Sequence, residues 1–418
     1  MLATVKVVTH RSLEAPLATM GDQPLELGTL EGAGRDDGTD AELRAYLTDA
    51  LAALEADQAD DGIMVSPPHQ LASLLQSFLL EHPPDIPRQD AGPLEVKFDR
   101  GDISGWLGSL FDWWRGIKPE KWRPPANQPE RVGDGKRLRV AVLGDWGTGL
   151  YGAPECAASI GRDGRYDLLV HLGDVYYSGT PKEVRENFLE LWPKVPGAVS
   201  RAVNSNHEMY SGGEGLFKET LPAFGQDATA FAIETDHWVL VGLDSAYEDH
   251  DLAHGQAAWL EQLVSAAGER EVVLFCHHQP FSLLDKQGPK LVAKLARLLA
   301  SRRIFAWYWG HEHRCVLYDQ HPVWGLHGRC VGHGGMPYFR DDVTNYPPEQ
   351  GDERWRRVPS KNLVPAGLLL DAPNPYVPDH ADRYGPNGYL TLEIDGTSLK
   401  ELVHAPDGTV LHEGSLIA

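Results

Sequence analysis

This 418-residue sequence predicts an α/β catalytic fold behind an acidic, mostly helical N-terminal region. Three observations carry that expectation. After Lys136, short apolar runs alternate with amphipathic helical stretches. The runs are continuously apolar, as suits strands covered on both faces. Almost every run also stops at a polar residue of a metal-binding type.

The elements follow in order. Residues 1–100 carry 18 acidic and 7 basic side chains, so about half of the formal net charge of −22 sits in the first quarter. Within it, Leu43, Leu47, Leu51 and Leu54 line one face of a helix predicted over Asp40 to Leu54. A second helix is predicted over Leu71 to Leu80, stopped by Pro83 and Pro84. From there to Pro129 prolines recur around Trp106, Trp113, Trp114 and Trp122, which reads as a linker packing its aromatic residues on a neighbour. These features divide the chain into an accessory region, 1–130, and a catalytic domain, 131–418.

The strand candidates are Leu138–Leu143 before Gly144-Asp145, Leu168–Leu172 before Gly173-Asp174, and Val199–Val203 before Asn206-His207. They continue as Trp238–Leu243 before Asp244, Val272–Cys276 before His277-His278, and Ile304–Trp309 before Gly310-His311. Between them, Thr180-Pro181-Lys182-Glu183 supplies a helix N-cap, a first-turn proline and a capping-box glutamate for a helix through Leu191. Gln256 to Ala267 is a further helix with Trp259, Leu260, Leu263 and Val264 on one face. Gly388 to Ile417 alternates apolar and polar residues around Asp395-Gly396 and Asp407-Gly408, the pattern of strands joined by tight turns.

Composition limits the function classes. A hydrophobic share of 42% is that of a globular protein. The net acidity argues against free duplex nucleic acid or an anionic membrane as the partner of the whole surface. An anionic substrate would need a local cationic centre to overcome that field. Cys156, Cys276, Cys315 and Cys330 are widely spaced and form no CxxC, so buried free thiols are expected. No stretch is apolar enough for a membrane span, and Met1 to Met20 lacks the apolar segment of a signal peptide, so a cytoplasmic enzyme is expected.

The positions of the polar residues carry the chemistry. In an α/β sheet, side chains just past the C-terminal strand ends gather in one crevice. Asp145, Asp174, Asn206, His278 and His311 should therefore converge although they are scattered along the chain. An aspartate after one strand is commonly a helix cap. Five ligand-type residues at successive strand ends are not explained that way.

The motifs Gly144-Asp145-Trp146-Gly147, Gly173-Asp174-Val175-Tyr176-Tyr177, Asn206-His207-Glu208, His278-Gln279-Pro280 and Gly310-His311-Glu312-His313 stand in order with fitting gaps. Over roughly residues 137–335 the chain resembles the calcineurin-like metallophosphoesterase superfamily, and its first two motifs most resemble the purple acid phosphatase branch. The resemblance implies a four-layer αββα sandwich and a two-metal site. Asp174 would bridge the metals. Asp145, Tyr177 and His313 would complete the first, and Asn206, His278 and His311 the second. Oxygen and imidazole donors suit Fe, Mn or Zn better than Ca. A phenolate from Tyr177 would replace the histidine that other branches carry in the first motif, and would favour iron there, with Fe, Zn or Mn at the second position. Tyr176 is then the core residue of the pair. His207 would stabilise the phosphoryl oxygens or protonate the leaving group, with Glu208 orienting it.

Two departures from the pattern stand out. Ser205 replaces the glycine that usually precedes the Asn-His pair. His277 precedes His278, so either is available as the ligand, and the resemblance favours His278 because it lies two before the proline. Asp244 reads equally as a supporting residue or a cap. Arg354, Arg356 and Arg357, in the proline-rich stretch Tyr338 to Asn387 beside the site mouth, are candidates for gripping a substrate anion.

The leading expectation is therefore hydrolysis of a phosphorylated small molecule, a phosphate monoester, by a metal-activated hydroxide. A phosphodiesterase acting on cyclic nucleotides or other diesters is the nearest rival. A metal-binding scaffold without turnover is a third reading, disfavoured by the complete ligand set. The first 130 residues would dock on the catalytic domain or mediate assembly.

Overall fold

The computed structural model describes residues 7, 49–50, 52–53, 63–64, 66–67, 69–81, 116–285 and 288–417. Most of the helix expected over Asp40 to Leu54, and Trp106, Trp113 and Trp114, lie outside the described residues.

Two sheets form the centre. The six-stranded sheet runs Val410–Ile417, Ser398–His404, Tyr389–Asp395, Arg137–Leu143, Leu168–His171 and Val199–Ala202, side by side. Its last three strands are parallel, while the C-terminal meander adds antiparallel through Leu390 opposite Val142. The ten-stranded sheet has a parallel centre, Trp238–Gly242, Glu271–Cys276, Ile304–Trp309 and His327–Val331. Cys315–Tyr318 then pairs antiparallel with the last of these.

The inner faces of the sheets meet in one core. Val140, Leu168 and Leu392 from the smaller sheet share a cluster with Leu240, Val273 and Phe275 from the larger. Each outer face is covered by helices. Gln256–Ala267 lays Trp259, Leu260, Leu263 and Val264 on the larger sheet. Each such side chain contributes about 1.5–3 kcal/mol relative to exposure. On the other side, Ala153–Asp163 and the turns after Pro181 pack Cys156, Ile160, Phe188 and Trp192 on the smaller sheet. This is the helix–sheet–sheet–helix layering expected, and burial of both faces explains why the strands read as continuous apolar runs.

The six strands expected between Leu138 and Trp309 form to within a residue or two, and the C-terminal stretch gives three strands turning at the two Asp-Gly pairs. Thr180 and Glu183 form the capping box, but the regular helix spans only Pro181–Glu183 and continues in wider π-type turns over Val184–Leu189. The stretch Tyr338 to Asn387 is less loop-like than its prolines suggest, because Asp352–Val358 and Gly367–Leu370 extend the larger sheet. All four cysteines are buried free thiols.

The helix expected over Leu71 to Leu80 spans Gln70–Glu81 and docks on the loop after Asp174. Ser77 Oγ donates to Glu183 Oε1 at 2.6 Å and lies 2.5 Å from Ser178 Oγ, and Thr180 Oγ1 bonds Glu81. Glu183 in turn accepts from the backbone N–H groups of Tyr177, Ser178 and Thr180. The accessory helix thus braces the loop that follows Asp174. No helix among the described residues is long and apolar enough to cross a membrane.

Candidate metal centre

The crevice between the two sheets gathers the strand ends. Asp145 and Asp174 close neighbouring parallel strands and are joined by their backbones: Asp145 N donates to Gly173 O and Gly147 N to Asp174 O. Asp145, Asp174, His311 and His313 all have positive φ, between 54° and 73°. Non-glycine residues seldom adopt that region, and such strain concentrates where a site requires it. The neighbours must be small. A Cβ on Gly310 or Gly332 would stand 2.6 or 2.7 Å from Asp145 Oδ2. That closeness lets His311 N donate to both Asp145 oxygens, at 2.8 and 3.1 Å.

One donor group forms around Asp145, Asp174 and His313, whose ligand atoms lie within 4.8 Å of one another. The hydroxyl at its centre belongs to Tyr176. It donates to Asp174 Oδ2 at 2.8 Å and reaches Asp145 Oδ1 at 3.3 Å and His313 Nε2 at 3.0 Å. The expectation placed Tyr177 at this position and Tyr176 in the core; here the Tyr176 hydroxyl stands among the carboxylates, although both rings belong to one buried cluster. Tyr177 packs in a cluster with Val7, Met64 and Met336, and its backbone carbonyl faces His207 Nδ1. The backbone after Asp174 turns so that the earlier tyrosine points inward.

A second donor group shares Asp174. His277 Nε2 lies 2.9 Å from Asn206 Oδ1, 3.1 Å from His311 Nδ1 and 3.3 Å from Asp174 Oδ1. His277 Nδ1 is committed to Leu172 O at 2.9 Å, which leaves Nε2 free to bind. His277 therefore occupies the position expected of His278. His278 is buried as well, but its Nδ1 engages Ser245, its Nε2 has no hydrogen-bond partner among the described residues, and its ring belongs to a different cluster, with His250 and His311. The strand ends at Cys276, so the two histidines are not held to the strict alternation that put them on opposite faces.

The electrostatics fit ligation. Burial holds His277 and His313 at about 3, His311 at about 4 and His278 well below the usual imidazole range, so these rings are neutral. Burial disfavours charge on Asp174, while the adjoining His207, His277 and His311 favour it whenever one of them carries an extra proton, and the balance holds the carboxyl well below its ordinary value. Burial and the Asp174 charge push Asp145 well above its own. Burial next to both carboxylates also raises the Tyr176 hydroxyl, which stays protonated unless a cation replaces the proton. Asp174 Oδ1 has no hydrogen-bond partner among the described residues. Two abutting buried carboxylates, neutral imidazoles and an unbonded carboxylate oxygen form a donor set that suits a cation pair.

The comparisons with known proteins agree. Residues 138–315 match the family model described as calcineurin-like phosphoesterase.

Over that span the chain is similar to calcineurin-like phosphoesterases.

The chain is also similar to the glycerophosphodiester phosphodiesterase GpdQ of Enterobacter lignolyticus (strain SCF1), at 27% identity over 200 residues, 44% of this chain and 68% of that protein. Among solved structures it is similar to purple acid phosphatase PPD1 of yellow lupin, at 15% identity and a TM-score of 0.47. That match covers 70% of this chain and 55% of the lupin protein, little more than half its length. GAP50 of Plasmodium, called the anchor in the inner membrane complex, matches at 13% identity and a TM-score of 0.44, over 67% of this chain and 88% of that one.

Around the two donor groups the remaining candidates separate. His207 is buried 3.8 Å from Asp174 Oδ2, with Nδ1 turned to Tyr177 O. Glu208 does not orient it. That carboxylate accepts from Asp174 N at 3.2 Å and bonds Ser205 Oγ, and burial raises it to about 8. Ser205 has φ −135°, an ordinary extended conformation, so serine there costs no strain; its Oγ accepts from Asp174 N at 3.1 Å. Asp244 is a turn cap, accepting from Ala246 N and Tyr247 N and holding Asn204.

The basic cluster is not at the site. Arg354 pairs with Asp352, Arg356 with buried Asp371 and Arg357 with Asp319. None of the three lines the cavity of about 280 Å³ that opens on Asp174, Asn206, His207, His311 and His313. Arg314 does; its Nη2 pairs with Asp342 of the same wall at 3.3 Å, while its buried Nε lacks a hydrogen-bond partner among the described residues. Met64, Ser66, Tyr338, Phe339 and Tyr384 also line the cavity, as do the acidic Asp285, Glu312 and Asp342. Arg314 follows the His-x-His motif directly, a signal the sequence reading passed over. Met64 and Ser66 come from the accessory region and had no such signal.

Proposed function

We propose that this chain hydrolyses phosphate monoesters at a two-cation site. One cation would be held by Asp145, Asp174, Tyr176 and His313, and the other by Asp174, Asn206, His277 and His311. The observation that carries the reading is the sharing of Asp174. Its Oδ2 faces the first donor group and its Oδ1 the second, with a cavity opening beside both. Oxygen donors with a tyrosine hydroxyl suit iron at the first position, and the imidazole-richer second position suits Fe, Zn or Mn. When bound, such a pair supplies positive charge for the phosphoryl oxygens and an acidified water as nucleophile.

The chain's own residues do the rest. Asp174 fixes the separation of the two donor groups. His207, held at Nδ1 by Tyr177 O, presents Nε2 to the cavity. In its doubly protonated form it can donate from Nε2 to the leaving oxygen, and that step would account for a ~10²–10⁴-fold effect. Arg314, with its guanidinium carbon 5.3 Å from the centre of the Tyr338 ring, is suited to contact the far side of a phosphorylated small molecule. Tyr338, Phe339 and Tyr384 offer an apolar wall for the alcohol part. The formal charge of −22 makes free duplex nucleic acid a poor partner for such a surface.

A second reading is hydrolysis of phosphate diesters, favoured by the similarity to GpdQ, a glycerophosphodiester phosphodiesterase. Hydrolysis of a matched aryl monoester and aryl diester by the metal-loaded chain separates the two. The proposal expects a higher kcat/KM for the monoester. A higher value for the diester replaces it with the second reading, and no turnover of either ester by fully loaded protein leaves only a binding role.

A further inference from the structure

His278 is a fully buried imidazole that the proposed cation pair leaves unused. It is 0% exposed and its Nε2 has no hydrogen-bond partner among the described residues. Its Nδ1 lies 2.9 Å from Ser245 O and 3.0 Å from Ser245 Oγ, so the N–H sits on Nδ1 and the Nε2 lone pair is free. A buried ring held this way has the outer hydrogen bond of a metal ligand but no metal in the pair to serve.

Its neighbours share the arrangement. The His250 ring centre lies 3.9 Å from that of His278 and 5.3 Å from that of His311, and His278 lies 4.8 Å from His311. One ring nitrogen from each of the three falls within 4.8 Å of the others. His250 Nδ1 bonds Asp249 Oδ1 at 2.8 Å, which again leaves Nε2 for the cluster. His311 turns Nδ1 toward His277, 3.1 Å away, so its Nε2 is the free nitrogen on the other edge of the ring.

We infer that His250, His278 and His311 form a third cation site beside the pair that flanks Asp174, each contributing Nε2, with His311 bridging as an imidazolate: its Nδ1 serves the second seat, and the proton that Nε2 would otherwise carry is released to solvent as the third cation binds. Three imidazoles select a borderline first-row divalent ion, of the zinc or cobalt class, over magnesium or calcium. Three protein ligands leave a fourth position open, the arrangement of a reactive rather than a sealed zinc site. His250 is half-buried at the rim and offers the entry path, while the Asp249 carboxylate behind it compensates charge. The site shares only His311 with the proposed second seat and otherwise stands on its own residues.

The test is metal content after saturation with zinc and removal of free ion, measured by elemental analysis on the full chain, on His250→Asn and on Asp174→Asn. The inference expects about three, two and one equivalents in that order. Cobalt loading gives a second readout, since the visible d–d absorption of the wild type should lose one component in His250→Asn. His250 is partly exposed, so that variant tests the site without opening the core, as His278→Asn would. Two equivalents in both wild type and His250→Asn, with none in Asp174→Asn, overturn the third site and leave the pair intact. One, none and one equivalents reject the pair while supporting the three-histidine site.

Discussion

Replacing Tyr176 by phenylalanine removes one oxygen and little else, because the ring is fully buried and its packing is kept. The lost hydroxyl bonds Asp174 Oδ2 at 2.8 Å and stands within 3.3 Å of Asp145 Oδ1 and 3.0 Å of His313 Nε2. A hydrogen bond to a charged group contributes about 1.5–3 kcal/mol. If the same oxygen is one of the donors to the first cation, its loss should weaken that cation by roughly 10–100-fold, the range seen when groups supporting metal ligands are removed. That ratio corresponds to about 1.4–2.8 kcal/mol, so both routes agree in size. The assay is competition with a chelator for iron, read together with the visible absorption of the oxidised iron-loaded protein. Tyr176→Phe should bleach the band and lower the affinity; Tyr177→Phe should keep both. A band that survives Tyr176→Phe and vanishes in Tyr177→Phe would refute the geometric argument and restore the motif-based one.

Other outcomes follow from the same structure. His207→Ala should lower kcat for the phosphoester by ~10²–10⁴-fold with metal content unchanged, checked by steady-state kinetics beside elemental analysis. Gly332→Ala drives a methyl group to 2.7 Å from Asp145 Oδ2 and 2.9 Å from His313 N, so the protein should fold but lose the first cation, seen in metal titration. Glu401→Ala leaves Arg329, only 5% exposed, without its carboxylate partner and takes the acceptor from Tyr308. The expected loss is about 3–5 kcal/mol of stability, measured by denaturant unfolding. Glu183→Ala frees the backbone N–H groups of Tyr177, Ser178 and Thr180 and the Ser77 hydroxyl, and should raise hydrogen exchange both in 174–180 and in the docked helix 70–81.

The layering and the strand ends were legible because both sheets are buried on two faces, which writes each strand as an unbroken apolar run with a polar stop. Asp145, Asp174, Asn206 and His311 could be read from that alone, while His313 came only with the family resemblance. The two misplaced residues both stand in doublets. Tyr176-Tyr177 and His277-His278 offer two identical side chains, and the choice depends on how the backbone turns after the strand, which residue spacing does not encode. In each doublet the earlier residue faces the shared carboxylate. His250 escaped notice because it stands in a turn far from any motif and becomes informative only through its closeness to His278. The arginine cluster misled because clustering in sequence says nothing of partners; Asp352 of the same strand pairs with Arg354, and Asp371 and Asp319 from other segments pair with Arg356 and Arg357. Met64 and Ser66 reach the cavity through docking of the accessory region, a long-range contact with no local signature.

The most direct measurement is an anomalous-scattering map of crystals grown with iron and zinc. Two peaks should flank the Asp174 carboxylate, one among Asp145, Tyr176 and His313 and the other among Asn206, His277 and His311. Fully loaded crystals with no peak bound to Asp174, or with a single ion on one side of it, would contradict the shared-carboxylate centre on which the hydrolytic role depends.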